Sequence, residues 1–468
     1  MTTENQMPQS LNRRRVVLLG AAVLLVVVIT VAAFHWWLPA LRLSAARGSW
    51  QPPPDATLSS SMREQPVPGW RTTVADLGLP PTSDSRIAVS NDPSGPRPFI
   101  GSIGTSAYFL ASSGAAEEPQ WWLAGMDVRD GRPLFNAVPL RVSMRDPECF
   151  LNGPNDILCL DGLPSVTARV IDGKSGAVKY VGPTDLRLGF GKLDVEQVGI
   201  YAVATTQDQG VYGIGQRAET TWFVPGDGGL RIVPPGRPDA ESQTLTAQHE
   251  ANPRTLVATV FSVADGKVVE PEIEEGGALV NPVFYPGGFA SEVEDSDGLP
   301  QGVSFFDESG KVVGERDGKA GALATDTAVD LPVVSTDQQS TVYSAGGEEL
   351  IEVPGGTLQR VGTTLMINMA KSQTFPEWQQ YNMKDGAKGP VCDYPMQNLL
   401  GTDGSTLVFE VTNFNAEILA KAYDLHSCER LWSIPKRAGS VDRIWLIDGV
   451  LVQLRAAATE LNALVAPG

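Results

Sequence analysis

The chain has 468 residues and a net charge of −18, and Gly and Pro together account for 83 positions. Such dense backbone punctuation excludes a coiled coil, while 42% hydrophobic and 19% charged residues exclude a disordered chain. The acidic balance excludes a binder that works through nucleic-acid phosphates, and three histidines leave too few ligands for a His-rich metal centre.

Residues 1–15 form a short tail that ends in Arg13, Arg14 and Arg15. From Val16 to Leu38 the sequence is apolar, and at 1.5 Å per residue this run crosses a hydrocarbon core of about 30 Å. The three arginines before it, and Trp36 and Trp37 at its far end, predict a retained transmembrane helix. The N-terminus then lies in the cytoplasm and the C-terminal domain is extracytoplasmic, or periplasmic. A cleaved signal peptide would carry a shorter apolar region. Residues 39–67, rich in Pro and Ser, read as a stiffened extracytoplasmic tether. The first 47 residues hold five arginines and one glutamate, so the chain beyond them carries −22 and does not adsorb to anionic lipid by charge.

From residue 68 to 468 short apolar runs with period-two alternation are separated by turn signals. One pattern recurs: an apolar strand, an Asp, a turn ending in Gly, and another strand. It appears at Asp127 to Gly131, Asp172 to Gly176, Asp265 to Gly266, Asp307 to Gly310 and, with Cys428 at the Gly position, after Asp424. The Gly supplies positive φ and the Asp caps the turn. Marker spacings of 45, 90, 44 and 118 residues leave room for eroded copies near Trp222 to Gly226 and Tyr381 to Gly386. A period in the forties predicts an all-β fold, a single β-propeller of seven or eight four-stranded blades, with eight slightly favoured. Arg443 to Ile447, Val450 to Leu454 and Glu460 to Val465 supply three strands of the last blade, and Gly69 to Val74 supplies the fourth, which closes the ring.

Cys149 and Cys159 bracket the turn cluster Asn152-Gly153-Pro154-Asn155-Asp156, which sets the sulfurs across neighbouring strands. Four cysteines allow three pairings; locality selects this one and leaves Cys392 with Cys428, and an extracytoplasmic address favours disulfides.

The segment Tyr423-Asp424-Leu425-x-Ser427-x-x-Arg430-Leu431-Trp432 resembles the repeat of quinoprotein-like (PQQ-type) propellers. That resemblance implies the fold, and an active dehydrogenase of that type often carries adjacent cysteines, which this chain lacks; no cofactor is expected. The layout, with Arg outnumbering Lys 25 to 11 and one helix ahead of a secreted propeller, is similar to actinobacterial membrane-anchored periplasmic propellers of the polar growth factor A type. It implies a part in trafficking of the envelope lipid trehalose monomycolate, beside a membrane lipid exporter.

Ala168 to Ser175 approaches a phosphate-binding loop, but it lacks the first Gly and reads as a hairpin. The acidic stretches Glu270 to Glu275 and Glu292 to Asp297 do not fit a calcium-loop register and read as a solvated rim. Phe375, Trp378 and Tyr381 break the repeat register and are the candidate platform for a glycolipid or a partner; Val283 to Phe289 is a second, weaker one. No catalytic or metal-binding constellation appears. The expected function is a non-enzymatic envelope scaffold with a membrane-protein partner and a possible glycolipid ligand; a small-ligand sensor or dehydrogenase and a protein-assembly factor are the alternatives.

Overall fold

The computed structural model describes residues 41–468 except 54–55, 89–96, 115–118, 141–145, 162–165, 188–192, 234–241, 252–255, 318–320, 326, 370–376, 414–415 and 437–439. The apolar run 16–38 and Phe375 lie outside the described residues. Among the described residues no helix is long and apolar enough to cross a membrane.

Alternating side chains between turn residues produce antiparallel strands, and among the described residues these gather into nine sheets in chain order. Eight are complete blades. The first blade runs from Phe99–Ile103 to Val138–Leu140 and carries one extra short strand, Arg86–Ile87. The second runs from Glu148–Leu151 to Val178–Pro183 and the third from Asp194–Val198 to Thr220–Pro225. Among the described residues the fourth has two strands, Leu245–His249 and Ala258–Ser262. The fifth spans Ala278–Tyr285 to Val312–Asp317, the sixth Ala322–Leu323 to Glu349–Pro354, the seventh Thr357–Val361 to Lys388–Cys392, and the eighth Leu399–Thr402 to Arg430–Pro435. The ninth joins Arg443–Ile447, Val450–Arg455 and Glu460–Val465 to the N-terminal strand Val67–Thr73, the closure expected from the sequence. The eight complete blades match the number that marker spacing favoured, and the two-stranded sheet is additional.

Each sheet is buried on both faces, so successive side chains along a strand serve different neighbours. Leu407 and Phe409 pack towards blade 7, whereas Val408 packs towards blade 9. In the same way Phe284 faces blade 4 and Tyr285 faces blade 6. An apolar cluster fills each of the nine junctions, including that between blades 9 and 1, where Leu454 and Leu461 meet Phe109 and Met126. The ring is therefore closed by packing as well as by pairing.

Turns joining strands one to two and three to four share one end of the blades, here the hairpin face. The two-to-three turns and the crossings between blades share the other, the crossover face. The repeated aspartates all sit in three-to-four turns. Asp127, Asp172, Asp307 and Asp424 accept backbone N–H groups of Arg129, Ser175, Ser309 and Ser427 at 2.8–3.0 Å. Positive φ recurs there at Gly131, Gly176, Ala218, Gly266, Gly310, Gly347, Gly386 and Cys428. The reduced blade keeps this turn, and flanking chain stands in for its missing strands: Arg231 N–H donates to Ala247 O, and Val269 N–H to Val260 O, both at 2.9 Å.

Within the expected tether 39–67, the described residues from 41 onward are docked on the ring. A helix over 41–49 is followed by a strap that crosses the hairpin face from blade 6 to blade 9. Trp50, 7% exposed, inserts at the junction of blades 6 and 7, and Leu58 and Met62 insert between blades 8 and 9. Arg47 donates to Leu350 O at 2.6 Å and Asp385 O at 3.1 Å. Lys384 donates to Trp50 O and lies 5.3 Å from the centre of its ring. Further along, Leu58 N–H donates to Thr402 O and Thr402 N–H to Ala56 O, each at 2.8 Å. The proline-rich composition that reads as a stiff linker in sequence is here an extended strip, held because its apolar residues find junctions to fill.

Candidate functional site

The four cysteines form the two expected disulfides, Cys149–Cys159 and Cys392–Cys428. Cys149 and Cys159 stand directly opposite each other in adjacent strands of blade 2. Cys392–Cys428 ties the outer strand of blade 7 to the three-to-four turn of blade 8. The 168–175 segment is a hairpin, with Thr167–Asp172 paired to Val178–Pro183.

The aromatic platform is corrected. Trp378 and Tyr381 belong to the strand Trp378–Asn382 of blade 7. Trp378 is 3% exposed and donates its indole N–H to Tyr394 O at 3.0 Å. Tyr381 is half-buried against the cluster between blades 6 and 7. They keep the blade register that the sequence concealed, and the Trp378 ring is spent in packing. In the second segment, a shallow cleft between blades 4 and 5 is lined by Gln243, Leu245, Phe284, Pro286 and Glu308. Gln243 is spent within it, since its amide N–H groups reach Arg231 O and Leu245 O and its oxygen accepts Val233 N–H. Tyr285 turns its side chain to blade 6, where burial pushes its hydroxyl pKa far up and it has no hydrogen-bond partner among the described residues. In the acidic stretch, Asp295 caps its own turn by accepting Asp297 and Leu299 N–H groups at 2.9 Å.

The densest meeting of chemistry-bearing side chains is a polar network at the reduced blade, which no motif announced. Asp227 enters from the crossing after blade 3, Arg231 from the chain that replaces the first strand of blade 4, and His249 from the end of Leu245–His249. Asn281 and Glu292 come from blade 5. His249 Nδ1 lies 3.3 Å from Asp227 Oδ2, and Arg231 Nη2 lies 3.4 Å from His249 Nε2 and 3.5 Å from Asn281 Oδ1. Asn281 donates to Glu292, which also accepts Leu323 N–H of blade 6 at 2.9 Å. One tautomer satisfies the set: Nδ1–H donates to Asp227 and Nε2 accepts from Arg231. Asn281 holds φ at 51° in a strand irregularity, a conformation Asn tolerates. The network joins three neighbouring blades where the sheet is thinnest. Among the described residues the ring nitrogens of His249 face Asp227 and Arg231, not a Ser, Thr or Cys.

Among the described residues burial raises the pKa of two carboxyls from the ordinary glutamate value. Glu196 of blade 3 is raised by burial, with the Thr205 hydroxyl opposing. Glu410 of blade 8 is raised by burial against the pull of Arg443. They lie on opposite sides of the ring and cannot act as an acid–base pair. Among the described residues no three His, Cys, Asp or Glu side chains are grouped to hold a metal ion. On the hairpin face the strap is locked by carboxylates. Asp424, held at about 2 first by Ser427 N–H and then by Arg63, accepts Arg63 at 2.9 Å. Asp403 accepts Met62 N–H at 2.7 Å; burial pushes its pKa up, and its backbone hydrogen bonds outweigh that and hold it low.

A family model described as a conjugation-associated 9-bladed β-propeller domain matches residues 42–467. An uncharacterised protein of Mycolicibacterium smegmatis (strain MKD8) is 37% identical over 439 residues, covering 90% of this chain and 89% of that protein. Among solved structures, the dihydro-heme d1 dehydrogenase NirN is 12% identical with a TM-score of 0.35, covering 81% of each chain. Apo AztD from Citrobacter koseri is 11% identical with a TM-score of 0.33, covering 71% of this chain and 85% of its own. At that level neither carries a functional argument. The propeller architecture is the part of the sequence resemblances that stands.

Proposed function

The chain belongs to the family of conjugation-associated nine-bladed β-propeller domains, and on that premise we propose that it is a non-enzymatic, membrane-anchored extracytoplasmic scaffold serving a conjugation system of the cell envelope. The observation that carries this reading is the extent of the match: it begins in the docked helix and ends at the last strand, so strap and ring form one unit. The arginine-flanked apolar run supplies the anchor, and two disulfides suit an oxidising compartment. The partner is an envelope membrane protein rather than nucleic acid, because the domain is strongly acidic. The lipid-carrier reading, with trehalose monomycolate as cargo, rests on layout alone, and Trp378, one of the three aromatics offered as a glycolipid platform, is buried; the conjugation reading has the family match behind it. Deleting the gene from donor cells should sharply lower transfer of a conjugative element and leave envelope glycolipid composition unchanged. Normal transfer with altered glycolipid would reverse the choice.

A further inference from the structure

We propose that the hairpin face is the membrane-facing side of the disc, held there by the strap, so that the crossover face with its polar network points away from the bilayer. This deepens the reading above and rests on its anchor.

The argument is one of chain length and docking. The apolar run ends at Leu38 and the docked helix is already formed at residue 41, so the three intervening steps span at most about 10 Å. Within that helix Ala46 is buried, and Arg47 is fixed to the third-to-fourth turn regions of blades 6 and 7 through Leu350 O and Asp385 O. Trp50 then enters the junction below. Arg360, whose side chain is fully buried, adds a hydrogen bond to Pro53 O at 3.4 Å while it pairs with Asp330 at 3.2 Å. Among the described residues, the chain from position 41 to Pro53 is therefore tied to the ring at Ala46, Arg47, Trp50 and Pro53. All these contacts lie on the hairpin face, and the later ones, at Gly449 O and Asp424, continue along it. A bilayer within a few residues of position 41 therefore lies beside the hairpin turns of blades 6 and 7. Leu41, 63% exposed, stands at the membrane end of the docked helix.

Blade 6 provides a matched pair of reporters. Glu348 lies in its hairpin-face turn and Asp337 in its crossover-face turn, and both are exposed. All four native cysteines are paired, so a single added thiol can be labelled without reduction. Full-length Glu348→Cys and Asp337→Cys proteins, each carrying a donor dye, are reconstituted into phosphatidylethanolamine–phosphatidylglycerol vesicles with acceptor-labelled headgroups. The two sites are separated by about one strand length, roughly 17–20 Å, so the donor at 348 should be at least about twofold more quenched than that at 337. Adding Arg47→Ala and Trp50→Ala should erase the difference. Equal quenching at the two sites in protein that resists an alkaline carbonate wash would overturn the orientation while leaving the anchor in place. Release by the wash would overturn the anchor and the orientation together.

Discussion

Trp50→Ala tests whether the strap is part of the folded unit. Trp50 is 7% exposed, packs among Val329, Leu358 and Met383, and its carbonyl holds Lys384. Truncating a buried Trp costs about 3–5 kcal/mol. The ring keeps its own junctions, so this cost falls on strap opening and raises the opening constant by roughly 10²- to 10⁴-fold. Native-state hydrogen exchange reads it directly. Leu58, Ser59 and Met62 donate their amides to Thr402 O, Gly449 O and Asp403 Oδ2, and these should lose protection together while strands of blades 1 to 3 keep theirs. Unchanged protection at Leu58, Ser59 and Met62 would refute the reasoning, because it would mean that Trp50 does not anchor the strap.

Reduction should expose unequal disulfides. The loops closed span 10 and 36 residues, which in the chain-entropy account correspond to about 3 and about 4 kcal/mol, so Cys392→Ser with Cys428→Ser should lower the urea midpoint more than Cys149→Ser with Cys159→Ser. Asp424 is held at about 2, below the ordinary carboxylate value. Its stabilisation is complete above that ordinary value and lost as pH falls towards about 2, so Asp424→Asn should flatten the stability profile across that window and lower stability at neutral pH. Gly131 has φ 74°, and a Cβ there would meet the Trp70 ring at 2.6 Å. Gly131→Ala should therefore lower the Tm clearly more than Gly104→Ala, where φ is 58° but nothing lies within 4 Å.

Much of the ring was legible. Asp127, Asp172, Asp307 and Asp424 announce their turns because a short carboxylate capping its own backbone is a local interaction, visible in four or five residues. The closing strand was legible because Trp70 echoes Trp432 beside an incomplete last blade. Other turns escaped for the same local reason. At Gly347 the capping group is the Ser344 hydroxyl, which accepts Glu348 N–H at 3.1 Å, and at Ala218 the turn is held by Glu219, whose carboxylate accepts Arg217 N–H at 2.7 Å. The reduced blade was hidden because its described edges are scattered backbone hydrogen bonds and isolated bridges rather than strands. Trp378 and Tyr381 misled because residues beside an interrupted pattern look like an insertion, whereas Trp378–Asn382 pairs regularly with Thr364–Asn368. The network of Asp227, Arg231, His249, Asn281 and Glu292 assembles from separate segments and has no spacing to read. The scarcity of histidine made His249 the one available signal.

The most direct test of the account is complementation of a donor strain lacking this gene, with conjugative transfer as the readout. Full-length protein should restore transfer, whereas the same ring secreted behind a cleavable signal peptide, without the 16–38 run, should not. Full restoration by the secreted ring would contradict an anchored scaffold, and unaltered transfer in the deletion strain would contradict any part for it in conjugation.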